Sequence, residues 1–363
     1  MRVAASTRAM LPMLRDPRED APDPDPANPT GNGTSNGPGS EGPRFLRSHG
    51  RAVTQAVYVL MHGLPLLGFW TGFGWTEVLV GLGLFWIRLF GVTAGYHRYF
   101  SHRTFKTSRA FQLFLAVLAQ STGQKGVLWW SAHHRHHHRN SDLEDDVHSP
   151  VRRSFWYSHV GWIFDPRNDA TDLHRVKDLA KYPELVWLEK FHWVPPTALG
   201  VLVFATLGWS GLWVAFFGST ILLYHATYTI NSLSHVFGSR RYDTVDDSRN
   251  NLWLALLTLG EGWHNNHHHH MASCRQGFYR WEVDLTYCAI KALERVGLVW
   301  DVNEPTPRVF DPARHMETQP SWKHWFFPPR EAPTGLAPCR RSDGASKAEA
   351  AAPDVEPPRT PAA

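Results

Sequence analysis

Four long apolar stretches alternate with polar sequence along the chain. The first, Val53 to Trp75, reads VTQAVYVLMHGLPLLGFWTGFGW, and the second, Val78 to Tyr96, reads VLVGLGLFWIRLFGVTAGY, with only Thr76 and Glu77 between them. The third covers 194–209, VPPTALGVLVFATLGW, and its early prolines suit a helix start. The fourth, Leu212 to Ile230, reads LWVAFFGSTILLYHATYTI and follows Ser210 and Gly211 directly. A bilayer core of ~30 Å takes about 20 helical residues, so each stretch is long enough, or nearly so, to cross it. The connectors within each pair hold no Lys or Arg, whereas the sequence between His97 and Trp193, and that after Ile230, holds many. Positive-inside bias then puts both termini and the central stretch on the cytoplasmic side. The expected fold is an all-α integral membrane protein, four transmembrane helices in two hairpins under one helical cytoplasmic cap. A fifth apolar run, AFQLFLAVLAQST from Ala110 to Thr122, is too short to span and is expected as an interfacial or buried helix. A crossing there would put His97 and His134 on opposite sides of the membrane. Arg88, inside the second span, is expected to snorkel at the membrane surface from a helix that runs past it.

Composition adds flanks and chemistry. Residues 1–48 are rich in Pro, Asp, Gly and Asn and read as a disordered arm without a signal pattern. Residues 328–363, rich in Pro, Ala and Ser, read as a disordered tail, which leaves 49–327 as the structured domain. These polar flanks dilute the mean hydropathy to −0.33. The chain carries 22 His and 17 Trp, which directs attention to metal binding and a membrane interface. Cys274, Cys288 and Cys339 stand apart with no C-x-x-C, which argues against a zinc ribbon, an iron–sulfur centre or a disulfide framework and fits a reducing compartment. The net charge is +4, and no nucleic-acid partner is expected.

The histidines are not scattered. HRYFSH supplies His97 and His102 directly after the second span, and HRHHH supplies His134, His137 and His138. NSLSH supplies Asn231 and His235 after the fourth span, and HNNHH supplies His264, His267 and His268. In the second and fourth groups the i, i+3, i+4 spacing sets three imidazoles on one helical face, and Asn231 and His235 share a face at i, i+4. His97 and His102, five apart, do not share an α-helical face, so the helix is expected to end or bend between them. One tetrahedral zinc needs at most four protein ligands. Nine histidines plus Asn231 are enough for two metals with four or five nitrogens each, and imidazole sites with open positions suit oxygen chemistry at iron, zinc or copper. A mobile metal-buffering loop would alternate His with Gly, Asp or Ser, without helical spacing. His133, His136, His269 and His270 fall outside the pattern and read as supporting or surface residues.

TAGYHRYFSHRTFKTSR, HRHHHRNSD, SHVGW, NSLSH and GEGWHNNHH, in that order, resemble the signature of the integral-membrane fatty-acid desaturases. The resemblance is to the acyl-CoA and acyl-lipid Δ9, stearoyl-CoA desaturase-like branch and runs from about Val53 to Val302, including RQGFYRWEVDLTY. It implies an O2-dependent oxidoreductase that removes two hydrogens from adjacent methylenes of a saturated acyl chain, using two iron ions. By this resemblance the iron ligands are His97, His102, His134, His137, His138, His235, His264, His267 and His268, and Asn231 reaches a metal through water. An unactivated C–H bond offers no acidity, so the oxidant must form beside the chosen carbon in a dry, narrow tunnel. Ala132 and His133 stand where stearoyl-CoA desaturases carry a basic residue. HRHHH and HNNHH look more like bacterial and cyanobacterial members, which implies a bacterial inner membrane with the active site cytoplasmic. The substrate is expected as a fatty acyl-CoA or acyl-lipid within the lipid bilayer. With no dinucleotide fingerprint or cysteine cluster in the sequence, electrons are expected from a separate ferredoxin-, rubredoxin-, flavoprotein- or cytochrome-type donor. In such a family the methyl end of the chain points into the bundle, and Phe85 and Trp86, ~17–18 Å below His97 along the second span, are candidates to close the tunnel. Competing readings are another histidine-box lipid oxygenase, a hydroxylase or ketolase, and a metal transport or storage membrane protein.

Overall fold

The computed structural model describes residues 51–316; the arm at 1–48 and the tail at 328–363 lie outside the described residues. Helix α1 (Arg51–Gly63) tightens to a 3₁₀ turn at Leu64–Leu66, where Pro65 withholds the N–H an α-helix needs, and resumes as α2 (Leu67–Thr71). After Gly72 to Gly74 the chain enters α3 (Trp75–Phe90), whose start is capped by Glu77 accepting from the Gly74 N–H at 2.8 Å. It continues as a π-helix over Gly91–Ser101. Later, α9 (Val194–Ser210) passes through a π-helical segment, Gly211–Gly218, into α10 (Ser219–Ser232). Among the described residues, the helical stretches Trp75–Ser101 and Val194–His235 are long and apolar enough to cross a membrane.

The second of these stretches is not straight. Gly208 takes φ 64° and ψ −156°, a conformation that costs little only without a Cβ. Beyond it the chain doubles back: a Cβ on Gly200 would lie 3.3 Å from the Phe216 ring. Sixteen positions of unbroken helix would hold them ~24 Å apart. The reversal falls two residues before the break expected at Ser210 and Gly211, because hydropathy marks apolar length while backbone conformation sets the turn. Val203, Ala215 and Phe216 fill the fold-back, with Leu84 of α3 packed against them. At its tip Ser210 donates to Glu77 at 3.1 Å, so the two short polar connectors sit side by side.

Arg88 does not snorkel. It is 1% exposed, between α3 and α10. Its guanidinium donates to Ser219 Oγ (2.6 Å), Thr220 Oγ1 (2.8 Å) and the Ser121 carbonyl (3.4 Å). It also stacks on Phe216 at 5.5 Å. The hydroxyls of the second apolar pair hydrate the cation in place of water, so burial becomes tolerable.

The sequence between these helices forms the cap. Strand β1 (Lys106–Thr107) pairs antiparallel with β2 (Val299–Trp300), closing the two ends of the cap on each other. Helix α4 (Arg109–Gln120) starts at Ser108, whose hydroxyl accepts from Phe111 N–H. It lays Leu115, Ala116 and Ala119 on the π-helix and leaves Leu113, Phe114 and Val117 exposed. That two-faced apolar character suits the interfacial placement expected from its length. Then come α5 (Val127–Asn140), α6 (Phe155–His159), α7 (Lys177–Ala180) and α8 (Pro183–Lys190). After α10 follow α11 (Leu252–Leu257), α12 (His264–His269) and α13 (Leu285–Arg295). A chain of imidazoles ties α1 to α10 and α6: His62 Nε2 to His225 Nε2 at 3.1 Å, His225 Nδ1 to His159 Nε2 at 3.0 Å, and His159 Nδ1 to Ser232 at 2.9 Å.

Candidate metal centre

Four segments converge under the cap: the end of the π-helix, α5, the turn after α10, and α12. They bring the nine histidines into two adjoining groups. His97, His102, His134, His138 and His267 form one, and His137, His235, His264 and His268 the other; within each group the ligand nitrogens lie within 4.8 Å of one another. The groups touch where His138 meets His268, ring centroids 4.3 Å apart. Each H-x-x-H-H helix is shared. α5 gives its i and i+4 histidines, His134 and His138, to the first group and His137 to the second, while α12 gives His264 and His268 to the second and His267 to the first. The single face expected from the spacing is therefore a ridge that straddles both groups.

The pairing of His97 with His102 has a different cause. The helix ends at Ser101, between them, but its last turns are wide: His102 N–H donates to the His97 carbonyl at 3.2 Å, an i to i+5 bond. In an α-helix residues five apart point about 140° away from each other. The π geometry brings them nearly into line, and the rings sit 4.8 Å apart.

Intervening residues anchor each segment from behind. Between His134 and His137, Arg135 donates to Asp178 (2.8 Å) and to the Phe100 and Ser101 carbonyls, tying α5 to the π-helix. Next to His97, Arg98 pairs with Glu261 (3.0 Å) and Asp284 (2.9 Å). Between His264 and His267, Asn265 accepts from the Arg241 and Tyr242 N–H groups, both at 2.8 Å. Asn266 accepts from Asn250 (2.7 Å) and donates to Glu282 (2.9 Å). Gly262 lets this loop reach α11: a Cβ there would lie 2.1 Å from the Ala255 nitrogen.

Four carboxylates then fix ring orientation. Glu261 lies 2.5 Å from His97 Nδ1, Asp146 2.9 Å from His137 Nδ1, Asp142 2.7 Å from His235 Nδ1 and Asp246 2.6 Å from His268 Nδ1. A carboxylate on Nδ1 sets the tautomer and turns Nε2 inward, as in metal sites. Burial would raise the Asp142 carboxyl, but His235 and the Ser149 and Asp247 donors bring it down to about 2. Glu261, against the same burial, is held at about 2 by His97 and Arg98, and Asp146 and Asp246 are lowered further. Burial, together with neighbouring imidazoles, holds His102, His134, His138, His264 and His267 well below the usual histidine range. Those rings are neutral near pH 7, the form that ligates metal. The fit to metal rests on buried atoms: His137 Nε2 and His268 Nε2 point into the second group with no hydrogen-bond partner.

None of the four carboxylates was singled out from the sequence, nor was His148, which forms a third close group with His137 and Asp146. The acidic run after HRHHH, EDD at 144–146, was the available signal. His133 binds the Trp129 carbonyl, His136 the Asp145 carbonyl, and His269 stacks on Tyr242; these and His270 lie outside both groups. Asn231 lines a small cavity, ≈ 50 Å³, with His97, His137, His148 and His264. That space shares Trp130, His134, His148, Thr227 and Asn231 with an apolar cavity of ≈ 260 Å³ walled by Tyr58, Met61, Trp129, Trp162, Phe164 and Tyr228. Phe85 is 2% exposed in the core and Trp86 40% exposed; neither lines these two cavities.

A family model for fatty acid desaturase matches residues 69–278. The chain is 40% identical over 235 residues to an sn-1 stearoyl-lipid 9-desaturase of Anabaena variabilis, covering 64% of this chain and 86% of that one. It is 33% identical over 264 residues to an sn-2 palmitoyl-lipid 9-desaturase of Nostoc sp. (strain 36), covering 71% and 92%. It is 36% identical over 255 residues to a chloroplastic palmitoyl-monogalactosyldiacylglycerol delta-7 desaturase of Arabidopsis thaliana, covering 69% and 68%. With two histidine groups able to hold metal beside an apolar cavity, and helices fit to cross a membrane, the chain belongs to the fatty acid desaturase family and is an oxidoreductase acting on fatty acyl chains.

Proposed function

We propose that this protein is a multi-pass membrane desaturase that places a cis double bond at the Δ9 position of a saturated chain carried as an acyl-lipid or acyl-CoA. The observation that carries the reading is the five-plus-four histidine arrangement, backed by carboxylates, at the inner end of an apolar cavity. The net reaction takes two hydrogens from adjacent methylenes, with O2, two electrons and two protons giving the alkene and two waters. His97, His102, His134, His138 and His267 would hold one iron, and His137, His235, His264 and His268 the other, with Asn231 beside the second through water. Two irons bound there supply the O2 activation that an unreactive C–H bond demands. The chain's own residues do the rest. Tyr58, Met61, Trp129, Trp162 and Phe164 bind the methylenes and exclude water. Glu261, Asp142, Asp146 and Asp246 keep the imidazoles oriented and neutralise charge at the centre.

The same reading has the chain cross the membrane four times, with the termini and the centre facing the cytoplasm of a bacterial inner membrane. The contact between Glu77 and Ser210, the tips of the two apolar pairs, is what a pair of hairpins would give. Electrons come from an external ferredoxin, rubredoxin, flavoprotein or cytochrome, and Phe85, buried outside both cavities, is the candidate floor of the tunnel at its methyl end. Expression in a host lacking its own desaturase, with an electron donor supplied, should yield monounsaturated chains by mass spectrometry. Hydroxylated chains would move the protein to the hydroxylase reading. An unchanged lipid profile from metal-loaded protein would favour metal storage or transport.

A further inference from the structure

We infer that His62 of α1 and His225 of α10 form a metal site of their own, apart from the nine-histidine centre, for a borderline divalent cation such as zinc. The inference does not rest on the desaturase reading, and neither residue belongs to the two histidine groups. Their Nε2 atoms face each other at 3.1 Å, with ring centroids 5.3 Å apart and planes at 73°. His235 and His264, within the second histidine group, stand in the same relation: 3.1 Å, 5.0 Å and 75°. Donors of a tetrahedral zinc, at bonds of ~2.0–2.1 Å, lie about 3.3–3.4 Å apart, so the pair needs to open by about 0.2–0.3 Å. Both residues are half-buried, within reach of water and of a cation carried in it.

The neighbours decide what the two nitrogens carry. His62 Nδ1 lies 2.7 Å from the Tyr58 carbonyl, which only accepts, so the ring proton is on Nδ1 and Nε2 is bare. On the other side, Ser232 gives its hydroxyl proton to the Tyr228 carbonyl (2.9 Å) and so accepts from His159 Nδ1 (2.9 Å). His159 Nε2 is therefore bare and accepts from His225 Nδ1 at 3.0 Å, which leaves His225 Nε2 bare as well. Two lone pairs thus point at each other, and a cation between them makes the contact favourable. Among the described residues no carboxylate pairs with His62, His159 or His225, unlike the four rings so held in the centre. A shared proton would bring one hydrogen bond and a charge that no carboxylate offsets; a metal forms two ligand bonds and keeps water on its remaining positions. Imidazole whose other nitrogen donates to a carbonyl or a second acceptor is the form that ligates metal, and it suits zinc over magnesium or calcium. The site would clip α1 to α10. Val57, Val59 and Leu60 of α1 face outward, and Tyr58 meets Phe164 and Tyr224 by ring contacts at 5.2 and 6.2 Å. Tyr58 and Met61 also wall the apolar cavity, so a metal at His62 fixes that wall against α10.

The test uses the full iron-loaded chain in detergent–lipid micelles, titrated with zinc and followed by calorimetry, elemental analysis and zinc-edge X-ray absorption. One zinc per chain should bind without loss of iron, with two imidazoles and oxygen ligands around it. His62→Leu and His225→Leu should each abolish that uptake and keep their iron. His159→Phe, which removes the acceptor behind His225, should weaken zinc binding about 10- to 100-fold. Zinc should also slow amide hydrogen exchange across Arg51–Gly63 in the unaltered chain and leave it unchanged in His62→Leu. The absorption spectrum reads the ligands without any variant, so a variant that fails to fold leaves the test decisive. Zinc taken up only as iron is lost, with four or more imidazoles around it, would place it in the main centre and overturn the inference. Uptake that persists in both leucine variants, or no uptake at all, overturns it too. In the second case a histidine NMR spectrum with one proton shared between the rings would assign the pair to a hydrogen bond. Uptake that needs both histidines while zinc leaves α1 exchange unmoved would overturn the clip.

Discussion

Four of the nine imidazoles of the centre, His97, His137, His235 and His268, are fixed from behind by carboxylates, and the two halves of that arrangement differ in how they show in the sequence. The histidines are legible because ligation needs one residue type at helical spacing, repeated in HRHHH and HNNHH. The carboxylates are not, because 33 Asp and Glu occur in the chain and the four that matter come from loops or turns remote in sequence from most of the rings they hold. His267 tests the boundary of the set. Its Nε2 lies 3.0 Å from both His97 and His138, at the middle of the five-histidine group. His267→Ala should abolish turnover and lower bound iron, whereas His270→Ala, outside both groups, should keep most of each, read by elemental analysis and product formation. Equal loss from both would mean that His270 is a ligand in solution. Phe85 tests the tunnel. It is buried while its neighbour Trp86 faces outward, so of the two Phe85 is the one placed to limit a longer chain, although it lines neither cavity. Phe85→Leu opens room with less packing loss than Ala, and each added methylene buried is worth ~0.8 kcal/mol. The variant should shift product toward longer chains with the double bond kept at its distance from the carboxyl end, and Trp86→Ala should not. An unchanged profile in Phe85→Leu with normal iron would place the floor on another helix.

The elements that carry the histidines are unusual in ways that α-helical patterning does not register. Hydropathy finds the second span but not that its last turns widen to π geometry, because the signal for that lies in the i to i+5 backbone bond that sets His102 beside His97. Helix α12 has six residues, too few to be stable alone. Its stability is borrowed through Asn265 and Asn266, the residues between the histidines that spacing arguments leave without a role. Replacing Asn266 with Ala would strand the Asn250 amide and take the donor from the Gln276 carbonyl in the interior. A stranded buried polar group costs about 1–3 kcal/mol. Asn266→Ala should therefore lower the melting temperature by several degrees and release iron, although it removes no ligand; a melting curve and an iron assay read both. Unaltered melting and full iron content would mean that α12 is held by α11 and the Gly262 contact rather than by its own amides.

At the scale of the molecule, the four apolar stretches are legible as stretches, while their arrangement depends on contacts far apart in sequence. Arg88 shows the limit: seen alone inside a span it reads as a snorkelling cation, and only the hydroxyls of Ser219 and Thr220, from the other apolar pair, make its burial tolerable. The same cross-contact bears on topology. If Glu77 meets Ser210 at the tips of two hairpins, Thr76 and Ser210 must lie on one side of the membrane, and the cap, with exposed Glu144, on the other. In a background with Cys274, Cys288 and Cys339 replaced, single cysteines at Thr76 and Ser210 should react with an impermeant maleimide from the extracytoplasmic side only. One at Glu144 should react only after the cytoplasmic face is opened. The expectation follows from an even number of crossings between Thr76 and Ser210 and an odd number between either of them and Glu144. Opposite accessibility for Thr76 and Ser210 would require an odd number and break the two-hairpin arrangement, even with desaturase activity intact. Labelling of all three from outside would mean that the histidine groups face away from the cytoplasm and from any soluble reductant there.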